Sequence, residues 1–232
     1  PQARCPVQFV VTPARVNDIT PAKRLSILPG ATYVFDLGYY DYGWWARLNA
    51  AECCIVSRLK KNTPLTLVSE RAVPAGSTIL SDRTGYLPAR QAASRKNPFD
   101  KLVREIRVKT DSGKVLRLVS NDLEASAEEI AGLYKLRWQI ELLFKWLKQN
   151  LRIKRFLGTS ETAVKLQIIA ALIAYVLVRL AQQAWAMAAS MQQLARLIRA
   201  NLLHRTSLPA LRGPPPRRQA SAPQPVPETA YA

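Results

Sequence analysis

Apolar positions along the chain recur at two periods, and each change of period marks an element. Residues 7–11 (Val-Gln-Phe-Val-Val) form a short β-rich run before Thr12 and Pro13, which predicts a strand leading into a loop. Residues 22–28 predict a short helix stopped at Pro29-Gly30. Residues 32–35 (Thr-Tyr-Val-Phe) are a compact strand candidate that delivers Asp36 at its carboxyl end, with Gly38 close behind. Trp44, Trp45 and Leu48 give residues 42–51 helical spacing, and residues 53–59 predict another strand.

Residues 64–120 change character. Short β-rich runs at 65–68, 102–108 and 115–119 are separated by Pro, Gly, Asp and Ser, and Asp111-Ser112-Gly113-Lys114 has the look of a hairpin connection. An antiparallel β insertion is expected here, with residues 89–98, basic and polar, as an exposed loop. Ser126 then stands three residues before Glu129, the spacing of a capping box, and predicts one helix from about Ala127 to about Asn150. A basic stretch and Gly158 interrupt. Two further helices are predicted over 162–189 and 191–203, where Ala, Leu and Gln favour helix. From Leu208 onward the chain is Pro-rich, with Pro214-Pro215-Pro216 before Arg217-Arg218, and predicts a disordered basic tail. No internal repeat is visible.

Composition sharpens this outline. Hydrophobic residues make up 48% of 232, enough for a core, and exclude disorder throughout. The net charge of +18 suggests a polyanionic partner, most simply nucleic acid, although a basic surface without a specific partner has the same charge. One His and three Cys leave little room for zinc, haem or iron–sulfur chemistry built on those ligands. Cys53 and Cys54 are adjacent and Cys5 stands apart, which argues against a disulfide framework and for a reducing cytosol. The chain opens on Pro1 and carries no secretory signal pattern at that end; a processed chain or a fragment is expected. The most apolar run, residues 168–178, is 11 residues long and ends at Arg179; it reads as a buried helix too short to cross a bilayer alone.

On a helical wheel at about 100° per residue, Tyr134, Arg137, Glu141, Lys145 and Lys148 share one face. Leu136, Ile140, Leu143 and Leu147 form a separate apolar stripe fit to pack on a sheet. Glu141 is therefore expected off the buried stripe, among cations. From Tyr134 to Arg155 there are seven Lys or Arg and one acid. An ordinary ion-pair network on a solvated helix explains this, each pair contributing little. A metal-binding carboxylate flanked by phosphate-gripping cations explains it equally, since neighbouring cations keep the carboxylate ionised. Asp36 is the natural second carboxylate, because a strand end holds it rigidly. Asp41, Asp82 and Asp122 are rival acids that spacing alone does not exclude.

Tyr134, Arg137, Glu141 and Lys148 match Tyr-x2-Arg-x3-Glu-x6-Lys, and with the flanking residues 133–145 and Phe35-Asp36-Leu37-Gly38-Tyr39 the chain resembles bacterial insertion-sequence transposases of the DDE type. The resemblance runs from about Val7 to Leu203. It implies an α/β fold: an incomplete ribonuclease H-like core with a β-rich insertion between the second and third catalytic carboxylates, followed by helices. Those carboxylates map onto Asp36 and Glu141, 105 residues apart. The implied layout is a partial core over 1–63, the antiparallel β insertion over 64–120 and the catalytic helix with its basic segment over 121–160. Carboxyl-terminal helices over 161–205 and the tail over 206–232 complete it.

The resemblance further implies metal-dependent phosphoryl transfer on DNA, with Asp36 and Glu141 binding Mg2+, or Mn2+ in its place. Tyr134, Arg137, Trp138, Lys145, Lys148, Arg152, Lys154 and Arg155 would contact DNA and its phosphates. Trp138, and less so Trp146, would stack on a displaced base or simply pack. Double-stranded DNA at transposon ends and target DNA are the implied partners, with a homodimer in a synaptic complex, no membrane, and a cytoplasmic, nucleoid-associated location in a bacterium. The family's first catalytic Asp has no counterpart here: no acid precedes Asp18, which lies in a polar stretch. The chain is thus expected to be the carboxyl-terminal part of a catalytic domain and to lack strand-cleavage activity by itself. The alternatives are a catalytically inactive DNA-binding remnant, a metal-dependent nuclease without strand transfer, or a basic helical protein that binds RNA or a protein.

Overall fold

The computed structural model describes residues 6, 8–92, 95–150, 156–184 and 190–201. The chain divides into two compact units, Gln8–Lys148 and a second made of Pro1–Val7 with Gln149–Ala232.

A mixed sheet organises the first unit. Its strands are β1 (Thr32–Val34), β2 (Cys54–Arg58), β3 (Thr66–Arg71), β4 (Ile79–Tyr86), β7 (Leu102–Lys109) and β8 (Val115–Ser120). They lie in the order β1-β2-β8-β7-β4-β3, and β5 (Arg90–Ala92) with β6 (Arg95–Lys96) forms a separate ribbon. β1 and β2 run parallel, and α2 (Tyr42–Ala50) connects them, as a parallel pair requires. All other pairs are antiparallel. The predicted Asp111–Lys114 connection is a tight turn between β7 and β8, where Gly113 has φ +78° and its N–H bonds the Thr110 carbonyl.

The period of two along each strand divides the core. Ile55, Val103 and Val119 face Tyr42, Trp44, Trp45 and Leu48 of α2. Val56, Ile106 and Leu118 face the opposite way, onto Ala127, Ile130 and Tyr134 of α3 (Ala127–Leu136). The capping box holds as the sequence predicts: Ser126 Oγ accepts from Glu129 N–H, and the Glu129 carboxylate accepts from Ser126 N–H at 2.7 Å. β3 and β4 approach so closely that a Cβ on Gly85 would meet the Thr66 carbonyl oxygen at 2.3 Å. Gly85→Ala should destabilise the unit by about 1–3 kcal/mol; an unchanged urea midpoint would contradict that close approach.

Several expectations need correction. Residues 8–11 form no strand, and Phe9 and Val10 are exposed, because no neighbouring strand pairs with them. The short helix lies upstream, as α1 (Ile19–Ala22), with Pro21 in its first turn, where a missing N–H is tolerated. Residues 89–98 include the β5–β6 ribbon rather than loop alone, and Asn97 and Phe99 beside it are buried. β4 was not visible as a strand. The single helix over 127–150 is two helices, α3 and α4 (Trp138–Asn150), broken at Arg137. Ile140 N–H bonds back only three residues, to Arg137. That break invalidates one continuous wheel. Tyr134 is buried on the sheet with Ile130, while of the expected stripe Leu136 and Ile140 are exposed, Leu143 is half-buried and only Leu147 is buried.

The second unit contains α5 (Glu161–Ala184) and α6 (Met191–Ala200), which pack on each other. Ser190 and Gln193 form a second capping box, and Leu194 is buried. α5 is 24 residues long with a mean hydropathy of 2.0 over its most apolar 18-residue window, so by length and composition it could cross a membrane. The 11-residue expectation counted only the unbroken apolar run between Gln167 and Arg179. Only Ala171 and Leu172 of α5 are buried, which also corrects the expectation of a buried helix. Residues 151–155 and the predicted tail at 206–232 lie outside the described residues.

Candidate active site

β1 ends at Val34, and the chain turns at Asp36 into a single 3-10 turn, Leu37–Tyr39. Asp36 caps that turn: its Oδ1 accepts from Gly38 N–H at 2.8 Å. One oxygen thus fixes the side chain, and the other, Oδ2, lies 3.7 Å from Arg137 Nη1. A Cβ on Gly38 would lie 3.0 Å from Asp36 Oδ1 and press the carboxylate aside by a few tenths of an ångström.

Arg137 sits at the break between α3 and α4. Its Nη2 donates to Glu141 Oε1 at 2.8 Å, one helical turn on, while Nη1 faces Asp36. One guanidinium therefore joins two carboxylates that are 105 residues apart in sequence. Its planar fork holds the two Nη atoms close together, so the facing Asp36 and Glu141 oxygens lie within about 9 Å of each other. Both carboxylates are about half exposed and Arg137 is mostly enclosed. The Arg137 Cζ stands 5.7 Å from the centroid of the buried Tyr134 ring. Burial opposes the Arg137 charge, but Glu141, Tyr134 and Asp36 outweigh it and raise its pKa. Burial likewise raises the Tyr134 hydroxyl, against the pull of Arg137 and Arg58.

The rival acids have other local roles. Asp41 caps α2 through Trp44 N–H and pairs with Lys23. Asp82 is buried against Arg104. Asp122 accepts from the N–H groups of Glu124 and Ala125 in the turn before α3.

Lys145 and Lys148 are exposed on α4, and Trp138 is exposed at its start. Trp146 is buried, against the stacking reading. Arg152, Lys154 and Arg155 lie outside the described residues. Sequence reasoning missed Arg58, the last residue of β2, whose charge reaches Tyr134. It also missed Lys109 and Lys135, which line a cavity of about 480 Å3 with Tyr134, Arg137 and Trp138. A basic residue at the end of a strand next to the one carrying Asp36 was the available signal for Arg58.

Chemically, the pair offers hard oxygen donors of the kind Mg2+ prefers. The donor set fits in kind but is short in number: among the described residues no group of three or more His, Cys, Asp or Glu converges.

With this geometry in view, residues 1–177 match the family model described as a transposase DDE domain. The chain belongs to that family of transposases. A Sinorhizobium fredii protein bearing the name transposase y4zB is 38% identical over 220 residues, covering 93% of this chain and 61% of its own length. A Geobacillus stearothermophilus protein named as a transposase for insertion sequence element IS5377 is 37% identical over 148 residues, 63% of this chain and 38% of its own. A Synechocystis protein, named as a transposase for element IS4SA, is 38% identical over 88 residues, 35% of this chain and 26% of its own. The chain therefore spans about three fifths of y4zB and less of the other two. DDE transposases generally use divalent metal ions.

Proposed function

We propose that this chain carries part of a DDE transposase catalytic domain on a ribonuclease H-like core, with residues 64–120 as its β insertion. Asp36 and Glu141 are its second and third catalytic carboxylates. The observation that carries this reading is the Arg137 guanidinium held between them, on the unit's own sheet and helices.

Asp36 and Glu141 would hold Mg2+, or Mn2+ in its place, which when bound supplies activation of the attacking hydroxyl and charge stabilisation at phosphorus. Arg137 neutralises the two carboxylates in the free protein and offers its fork to a phosphate when DNA arrives. Tyr134, buried on the sheet, positions Arg137. Lys145 and Lys148 attract the DNA backbone as point charges along α4, and Arg152, Lys154 and Arg155 continue that basic run. Trp138, exposed beside Arg137, is placed to stack on a base. In the complete transposase these residues serve cleavage at transposon ends and strand transfer into target DNA, within a homodimeric synaptic complex at the bacterial nucleoid. No membrane is involved in this reading.

Two carboxylates do not complete the site. The chain alone should bind labelled duplex DNA, with affinity falling steeply between low and moderate salt, and should not cut it in Mg2+ or Mn2+. Cleavage by the chain alone that disappears in Glu141→Gln would show a site complete without a further acid. Absence of any salt-dependent DNA binding would remove the reading altogether.

A further inference from the structure

The sheet carries a second concentration of cations, on the face opposite Tyr134 and Arg137. Along β7, Ile106 faces α3, so Glu105 and Arg107 project from the other side, where α2 covers only part of the sheet. Register places Arg83 of β4 opposite Glu105, and Arg107 opposite Arg117 of β8. Like charges directly opposite on neighbouring strands repel. Here the Glu105 carboxylate, buried among them, bridges both arginines: Arg117 binds it through Nε and Nη2, each at 2.9 Å, and Arg107 through Nε at 3.0 Å.

The arginines differ in what they have left to give. Arg117 is saturated, since Nη1 and Nη2 also donate to the carbonyls of Lys60, Lys61 and Thr63 and tie that loop to the sheet. Arg107 is held by Nε alone. Arg83 is likewise held by its Nε, on Glu70 at 3.0 Å. Among the described residues, the Nη groups of Arg83 and Arg107 meet no acceptor. Both line one cavity of about 470 Å3, together with exposed Lys61. Lys60 lies over the Tyr40 ring at 4.6 Å and keeps its charge at the margin. Lys61, Arg83, Arg107 and Arg117 together outnumber the two acids among them, Glu70 and Glu105, so the face keeps a net positive charge, and the Nη groups of Arg83 and Arg107 remain open as donors. Fork donors at fixed spacing suit phosphate oxygens.

We propose that this face of the β insertion is a second DNA-backbone contact, built from Lys61, Arg83 and Arg107 and separate from the Asp36–Arg137–Glu141 site. Glu105 and Arg117 act as its scaffold. The proposal rests on DNA being the partner, as the proposed function holds, and adds a second stretch of duplex bound on the reverse face of the sheet.

The test is binding of a labelled DNA duplex by the 232-residue chain across a salt series. The parent is compared with Lys61→Ala/Arg83→Gln/Arg107→Gln and, separately, with Lys148→Ala. Every phosphate that the protein no longer neutralises flattens the slope of log K against log salt by about 0.9, so the slope of the triple variant should be shallower by about 2–3. The replaced arginines are partly exposed and the lysine is in a loop, so the variant should fold, which its circular dichroism melt checks. Should it not fold, Lys61→Glu alone reads the same surface and should flatten the slope by about 1 or more. A folded triple variant, or Lys61→Glu, with the parental slope overturns the proposal. If Lys148→Ala flattens the slope in that case, the proposed function survives without it. A parent that binds no DNA overturns both.

Discussion

Asp82→Ala is expected to cost the fold about 3–5 kcal/mol, among the largest single-residue losses available in the chain. Asp82 on β4 and Arg104 on β7 meet diagonally across the strand pair, with Nε–Oδ1 at 2.7 Å and Nη2–Oδ2 at 2.5 Å, and both side chains are almost fully buried. Removing the carboxylate strands a guanidinium that cannot shed its proton. The pair's net value is a different quantity. Asp82→Leu with Arg104→Met removes both charges together and should restore most of the loss, because a buried pair roughly balances its own desolvation. Urea unfolding measures both. A single variant within 1 kcal/mol of the parent would mean that water reaches Arg104. The consequence for the site is positional: Arg104 Nη1 also donates to the Ala125 carbonyl, one residue before the Ser126 cap. The pair thereby fixes where α3 begins and, further along that helix, where Tyr134 and Arg137 fall.

This pair also explains why β4 was hidden in the sequence. Ile-Leu-Ser-Asp-Arg-Thr-Gly-Tyr alternates poorly, yet Ile79, Ser81, Asp82 and Thr84 are buried. An ionic partner on the adjacent strand makes an acid tolerable inside, and no single-strand pattern records that partner. What depends on neighbours in sequence was legible: the Ser126–Glu129 cap, the turn at Gly113, and the delivery of Asp36 by β1. The same limit governed the acids. Spacing could not separate Asp36 from Asp41, Asp82 or Asp122, because each one's role is set by what the fold brings to it. The break at Arg137 carried no Gly or Pro to announce it, so a wheel drawn through residues 134–148 put the buried Tyr134 on a solvated face and the exposed Leu136 and Ile140 toward the sheet. The wheel did place Arg137 and Glu141 together, because a four-residue spacing brings them together on one helical turn.

In a complete transposase carrying these residues, Glu141→Gln and Asp36→Asn should each lower strand cleavage by about 10³-fold or more, equivalent to about 4 kcal/mol of transition-state stabilisation. Both replacements keep shape and remove charge. The effect therefore tests the carboxylates as ligands, since neither lies in the core. Asp36→Asn retains an oxygen to cap Gly38 N–H, so the turn after β1 should persist. Arg137 should behave differently. It touches both carboxylates and sits against Tyr134, so Arg137→Lys keeps a positive charge but loses the fork that reaches two partners at once. A loss of about 10–100-fold is expected, as for groups that orient metal-binding side chains. Part of it should appear as a higher divalent-ion requirement, because the two carboxylates would no longer be pre-drawn together. Single-turnover cleavage of labelled end DNA across a Mg2+ series separates these outcomes. Near-parental rates in Glu141→Gln would remove Glu141 from the chemistry. Equal losses in all three variants, with no change in Mg2+ dependence, would leave Arg137 its phosphate contact and remove its role as the brace between the acids.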